Sequence, residues 1–240
     1  MSIEPTRPQR ESLLSHFAVM ICALVVMCGV LAAIGWGISL AMTPAPVEAE
    51  RTDQNETVAR FREIGLEIGR NGEDQIQVVA TRYPLLLTDQ ELAIVDGLPH
   101  LEVLDLRGAP ITDQALVHTE NLPNLRELYL GGSIITDVEQ TLFRTTITDA
   151  AIPHITKLKT LRVLSLARTG ITDAGIAPLS ELPNLESLYL VDVQVTDDAI
   201  EDLAKLKSLK HLYLHETPIT AEGVKRLQEL LPGTDVQHTH

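Results

Sequence analysis

The stretch that decides the fold is LRVLSLARTGITDAGIAPLSELPN, residues 161–184. Leucine stands at its first, fourth and sixth steps, the triplet ITD follows, and a second run of spaced apolar residues ends it. The next 24 residues, LESLYLVDVQVTDDAIEDLAKLKS, have the same pattern. A fixed period of this length predicts a repeat architecture, in which each unit buries its apolar side only by stacking on its neighbours.

Five complete units share this pattern. They begin at Leu101, Leu125, Leu161, Leu185 and Leu209. Four have 24 residues, whereas the second has 36 and contains ITD twice, at Ile135 and Ile147, which predicts a 12-residue insertion within roughly 133–148. Residues 87–100 match the back half of a unit, and residues 233–240 are expected to supply a final half-strand.

Each unit is expected to contain one short strand and one short helix. Apolar side chains should point inward at the positions equivalent to Leu161, Leu164, Leu166, Ile171, Ile176, Leu179 and Leu182. A Thr or Asp before a helix accepts a bond from its unpaired N–H groups, so TD predicts a helix start. We therefore expect the repeated acids to be helix caps rather than a calcium-binding ladder; they are Asp89, Asp113, Asp149, Asp173 and Asp197. Ala221 replaces this Asp in the last unit, which predicts a weaker helix start there.

The pattern LxxLxLxxTxITDxGIxxLxxLxx resembles the leucine-rich repeat family over about residues 76–236. More narrowly, it is similar to the cysteine-containing class of repeats in a bacterial-looking form, with Thr or another residue where the Cys would stand. The resemblance implies an α/β solenoid with a parallel strand ladder on the concave face and short helices on the convex face. It also implies that a ligand binds on the concave face.

The candidate binding residues follow from the register of the units. The fifth steps are Asp105, Tyr129, Ser165, Tyr189 and Tyr213. Tyrosine offers apolar area and a hydroxyl, so these three tyrosines are predicted to bind a protein or glycan. The predicted binding residues beside them are Arg107, Arg162, Arg168, His211 and His215. The alternative is that tyrosine simply suits a strand and packs on its neighbours.

A separate segment at residues 17–42 is an uncharged run of 26 residues that contains both cysteines. As a helix it would span about 39 Å, more than the roughly 30 Å hydrocarbon core, so it predicts one transmembrane signal anchor. A cleavable signal peptide ending at Ala49 is the alternative, but its apolar region is usually about 7 to 15 residues long. Arg7 and Arg10 predict that residues 1–16 form a short cytoplasmic tail and that the repeats are extracytoplasmic.

The remaining boundaries follow from local composition. Gly29, Ala33 and Gly37 would share one face of the anchor, an arrangement that would let two anchors form a homodimer, although such residues are common in these helices. Residues 43–55 are expected to form a linker and residues 81–240 the repeat domain. Between them, residues 56–80 predict an N-terminal cap of a helix and a hairpin, with the Asn-Gly pair at residues 71–72 in a tight turn.

Composition and motifs narrow the function. A net charge of −14 disfavours nucleic acid, which requires clustered Lys and Arg. The sequence has no GxSxG, HExxH or Gly-rich phosphate loop, so we expect no enzyme and no cofactor. We also expect no metal site, because His211 and His215 are too far apart on a strand and the pair at 238 and 240 is near a frayed end. The expected function is a membrane-anchored recognition module at the cell envelope; the alternatives are an envelope scaffold and a non-catalytic adapter of an enzyme complex.

Overall fold

A computed structural model of the 240-residue chain describes residues 57–81, 87–132 and 146–239. These residues all lie within one compact unit, Ala49–His240. None of the helices in these three ranges is long and apolar enough to span a bilayer. The span predicted at 17–42 lies outside them, as do the predicted tail and linker, so these remain predictions.

The described residues contain eight strands that form one sheet in chain order. The strands are β1 (Leu66–Arg70), β2 (Ile76–Thr81), β3 (Val103–Asp105), β4 (Glu127–Tyr129), β5 (Val163–Ser165), β6 (Ser187–Tyr189), β7 (His211–Tyr213) and β8 (Asp235–Gln237). β1 and β2 are antiparallel, and each later pair of neighbours is parallel. The predicted strand ladder is therefore confirmed.

The register of the ladder follows the predicted steps. The fourth-step leucines oppose one another across neighbouring strands and have 0% exposure; they are Leu104, Leu128, Leu164, Leu188 and Leu212. Successive side chains on a strand point to opposite faces, so the third and fifth steps project away from the core. We use the term strand face for the outward side chains of the third, fifth and seventh steps.

A layer of short helices covers the other side of the core. The 3-10 helices of this layer are Glu91–Gly97, Asp113–Thr119, Asp149–Ala151, Ala177–Glu181 and Asp197–Ala199. Its α-helices are Ile152–Ile155, Asp173–Ile176, Ile200–Leu203 and Ala221–Leu230. Their apolar side chains share one aliphatic core with the strand leucines. The predicted short helices are confirmed, and most are tight 3-10 segments because a 24-residue unit leaves few residues for this layer.

The hairpin predicted before the repeats is present as β1 and β2, and residues 57–63 before it are helical, with Phe61 fully buried. The Asn-Gly pair at residues 71–72 lies in the connection between these strands, as predicted. The N–H of Asp74 donates to the carbonyl of Asn71 (3.1 Å), and Asp74 has a φ of 64°. The N–H of Asn71 also donates to the carbonyl of Gln75 (3.0 Å), so three loop residues, 72–74, lie inside that pair. The left-handed position is taken by an aspartate, a residue type that tolerates it.

The expectation that the repeated aspartates cap the helices is wrong, because threonine has that role. The side chains of Thr112, Thr148, Thr172, Thr196 and Thr220 accept bonds from N–H groups in the first helical turn. Each aspartate instead binds the threonine of the next coil. The carboxylate of Asp173 accepts bonds from the N–H (2.7 Å) and the hydroxyl (2.8 Å) of Thr196. The equivalent pairs are Asp89–Thr112, Asp113–Thr148, Asp149–Thr172 and Asp197–Thr220.

This arrangement settles two details of the repeats. The last helix, Ala221–Leu230, has a side-chain cap although Ala221 replaces the aspartate, because Thr220 accepts from the N–H of Gly223 (3.1 Å). In the 36-residue unit, Thr148 binds Asp113, so the ITD at 147–149 is in register with the other units. The ITD at 135–137 lies outside the described residues.

Candidate functional site on the strand face

The predicted column of fifth-step side chains is present on the strand face. Asp105, Tyr129, Ser165, Tyr189 and Tyr213 are aligned across β3 to β7. Gln237 of β8 continues the column after Tyr213. The strand ladder therefore brings the three predicted tyrosines onto one surface, with Ser165 between the first and the second.

The second and third tyrosines form a parallel stack. The ring centroids of Tyr189 and Tyr213 are 4.3 Å apart, and the ring planes differ by 3°. Stacking follows from the register, because the two side chains project in the same direction from neighbouring strands. Burial raises the pKa of Tyr189, and the neighbouring Tyr213 raises it further. The hydroxyl of Tyr189 therefore stays protonated at neutral pH and can both donate and accept hydrogen bonds.

Two histidines flank this stack. The ring centroid of Tyr213 lies 6.4 Å from that of His211 and 6.3 Å from that of His215. The Nδ1 of His211 is 3.8 Å from a carboxylate oxygen of Asp235, and the Nδ1 of His215 is 2.7 Å from the hydroxyl of Thr239. The side chain of His211 is 48% exposed, so its ring is accessible to a partner. We call the following four residues the aromatic patch: Tyr189, Tyr213, His211 and His215.

The first tyrosine belongs to a different group of contacts. The guanidinium carbon of Arg107 lies 5.1 Å from the ring centroid of Tyr129, and the hydroxyl of Tyr129 donates to Glu127 (2.7 Å). The Nε of Arg107 donates to the carboxylate of Asp105 at 2.9 Å and 3.1 Å, and this bond raises the pKa of Arg107. Burial, followed by the bond to Glu127, raises the pKa of Tyr129. We call Asp105, Arg107, Glu127 and Tyr129 the polar cluster; their polar groups already bind one another.

Arg162 and Arg168, the other two predicted binding residues, lie outside the strands at opposite edges of the strand face. Arg162 precedes β5, and its Nη1 is 3.2 Å from a carboxylate oxygen of Glu186. Arg168 follows β5 with a φ of 58°, and its Nε is 3.6 Å from a carboxylate oxygen of Asp192. Both arginines therefore border the column of tyrosines, each beside a carboxylate of the next unit.

The contacts of Asp105 and Glu127 were not predicted from the sequence. Each acid lies two residues from its partner, Arg107 or Tyr129, a spacing that puts both side chains on one face of an extended chain. That spacing was the available signal. Within the described ranges, no group of three or more His, Cys, Asp or Glu side chains is placed to hold a metal ion.

Comparison with known proteins agrees with this architecture. A family model described as Leucine Rich repeat matches residues 97–117 and 157–180. The match covers parts of two units and, together with the strand ladder and the short helices, supports a fold like that of a leucine-rich repeat solenoid. No curated protein matches the chain in sequence.

Several solved structures are similar to the chain. A leucine-rich repeat protein of Leptospira interrogans is 20% identical with a TM-score of 0.38, over 60% of this chain and 45% of that one. Internalin C2 of Listeria monocytogenes is 20% identical with a TM-score of 0.38, over 84% and 100% of the two chains. PEPR1-AtPEP1 is 16% identical with a TM-score of 0.42, over 78% and 31%. The chain thus spans less than half the length of the Leptospira protein.

Proposed function

We propose that this protein is a membrane-anchored leucine-rich repeat module that binds a protein partner at the cell envelope through the aromatic patch. The observation that carries the proposal is the stack of Tyr189 on Tyr213, outward from the core and flanked by two histidines. Tyrosine buries a large area at low entropic cost and is common among the residues that dominate binding energy. Stacking already restricts both rings, which lowers the cost of ordering them in a complex.

The geometry of the stack favours a protein partner over a glycan. A sugar packs flat on the face of an aromatic ring, and in the stack one face of each ring is covered by the other ring at 4.3 Å. The ring edges and hydroxyls are better suited to the backbone carbonyls and mixed polar and apolar side chains of a protein. A leucine-rich repeat fold is also typically a non-catalytic interaction module.

The polar cluster is not part of the docking centre in this proposal. The hydroxyl of Tyr129 and the guanidinium of Arg107 are already bonded within the cluster, so a partner would have to displace those bonds to use them. Displacing a satisfied hydrogen bond returns little net free energy. The binding role predicted for these two residues is therefore not retained in this proposal.

The proposed location depends on the N-terminal sequence. We further propose that the repeats are of the cysteine-containing class in a bacterial form. Residues 17–42 are uncharged, and Arg7 and Arg10 precede them, which supports a single-pass anchor with the repeats outside the cytoplasm.

The proposed location can be tested with a membrane-impermeant reagent. It should label residues after 42 in intact cells, or in spheroplasts where an outer membrane is present. Protection of every such residue would contradict the proposed location.

The docking proposal is tested by replacing Tyr189 and Tyr213 together with Ser in the full-length chain. Capture of a discrete partner from the native membrane should be lost while the melting curve stays unchanged. Val117→Ser is the matched control, because Val117 is 46% exposed on the helix side of the unit. Intact capture by the double variant would overturn the proposal. Self-association in place of a discrete partner would favour the scaffold alternative, and capture within an enzyme complex would favour the adapter.

A further inference from the structure

A row of charged side chains precedes the strands, at the second step of each unit. From β3 to β7 its members are Glu102, Arg126, Arg162, Glu186 and Lys210. The Nη1 of Arg126 is 3.2 Å from a carboxylate oxygen of Glu102, and Lys210 contacts Glu186 at 2.8 Å. The row carries three cations and two carboxylates, so it is a local positive feature on a chain with a net charge of −14.

The two arginines at the centre of the row are direct neighbours. The N–H groups of Arg162 and Val163 both donate to the carbonyl of Arg126, at 2.7 Å and 3.0 Å. The arginine side chains bind carboxylates on opposite sides, Arg126 at Glu102 and Arg162 at Glu186, and both are 56% exposed. Like charges on adjacent strands are unfavourable, so an anion between the guanidinium groups would be stabilised by both.

The carboxylates already present do not use all the donor groups of this pair. Glu186 is shared between Arg162 (3.2 Å) and Lys210 (2.8 Å), and the bond from Lys210 is the main reason that the pKa of Glu186 is lowered. One carboxylate therefore serves two cations on that side of the pair. Arginine presents a planar fork of donors, so a guanidinium group with one monodentate contact retains N–H groups for another carboxylate.

We infer that an acidic side chain of the partner binds between Arg126 and Arg162, so that the partner presents an acidic segment across the strands. This inference rests on the proposed function and adds the chemistry of the partner. β6, which carries Tyr189, directly follows β5 in the sheet. A segment that crosses from the arginine pair to the next strand therefore reaches the aromatic patch, combining a charged anchor with an aromatic one.

A displayed library of random peptides, selected on the full-length chain in mild detergent, tests the inference. The selected peptides should be enriched in Asp and Glu. Arg126→Gln combined with Arg162→Gln should weaken the best acidic peptide about tenfold or more, as expected for loss of bonds between charged groups. Arg226→Gln is the matched control, because Arg226 is similarly exposed and pairs with Glu201 on the helix side. Replacing both central arginines with Lys retains the charge and should weaken binding less.

The outcomes separate the two proposals. Selected peptides without an excess of acidic residues, or acidic peptides that bind the Gln double variant as well as the wild type, would overturn the inference. If binding of those peptides also requires Tyr189 and Tyr213, the proposed docking function stands without the acidic anchor. A library that yields no binding peptide also counts against the acidic segment, and the tyrosine experiment then decides the docking function by itself. Melting curves of the Gln and Lys variants distinguish lost binding from lost folding.

Discussion

Substitution of Asp173 by Ala should destabilise the junction between two coils. The Asp173 carboxylate accepts bonds from the N–H of Thr196 at 2.7 Å and from its hydroxyl at 2.8 Å. Both bonds have an ionised acceptor, and their loss leaves a partly buried N–H group without its partner. A hydrogen bond to a charged group contributes about 1.5 to 3 kcal/mol, and the two share one acceptor, so we expect a loss of about 2 to 3 kcal/mol. For a chain of this size that corresponds to a fall in Tm of roughly 4 to 12 °C.

The assay is urea unfolding followed by far-ultraviolet circular dichroism, with hydrogen exchange at the N–H of Thr196 as the local measurement. Asp198→Ala is the matched control, because Asp198 is exposed and follows the same threonine cap. It should change the free energy of unfolding by less than about 0.5 kcal/mol. Equal stability of the two variants, or unchanged exchange at Thr196, would refute the role assigned to the aspartate.

Three further changes test the fold. Leu164→Ala removes a fully buried side chain and should cost about 2 to 5 kcal/mol in the free energy of unfolding; a smaller loss contradicts the register. Gly131→Ala should lower the free energy of unfolding by at least about 2 kcal/mol, because the φ of Gly131 is +93° and the added Cβ would lie 1.7 Å from the carbonyl oxygen of Ala167. Unchanged stability would exclude that close approach. Glu120→Gln should reduce the free energy of unfolding most near pH 7 and progressively less below about pH 4.5. The bonds to Lys157 and then His154 lower the pKa of Glu120, so the stabilisation that Glu120 provides is present above its unfolded pKa and is lost as the pH falls. A reduction that urea unfolding finds to be the same at every pH would contradict this.

The sequence predicted the repeat register because every unit repeats the same one-dimensional pattern. Each first-step leucine, from Leu101 to Leu209, is at most 4% exposed, and the fifth-step column lies where the counting placed it. Burial of a leucine depends on its own position in the unit, so periodicity alone was sufficient. The exact hairpin turn was not predictable in this way, because the left-handed position is taken by Asp74 rather than by Gly72.

Contacts between coils were harder to predict. Asp173 and Thr196 are 23 residues apart, and a local rule for helix caps assigned the aspartate to its own helix. The same difficulty affected the candidate binding surface. Tyr129, Tyr189 and Tyr213 occupy the same step of their units, but Tyr129 binds Glu127 whereas the other two stack on each other. The stacking depends on side-chain rotamers across neighbouring strands, whereas the bond of Tyr129 follows the two-residue spacing from Glu127.

The most direct test of the central claim is site-specific photocrosslinking in the native membrane. A benzoylphenylalanine would be placed at Tyr213 in the aromatic patch and, in a separate variant of the full-length chain, at the exposed Val117 on the helix side. Docking on the strand face predicts that illumination links one discrete protein partner at Tyr213 and not at Val117. A partner linked at Val117 but not at Tyr213 would contradict the account.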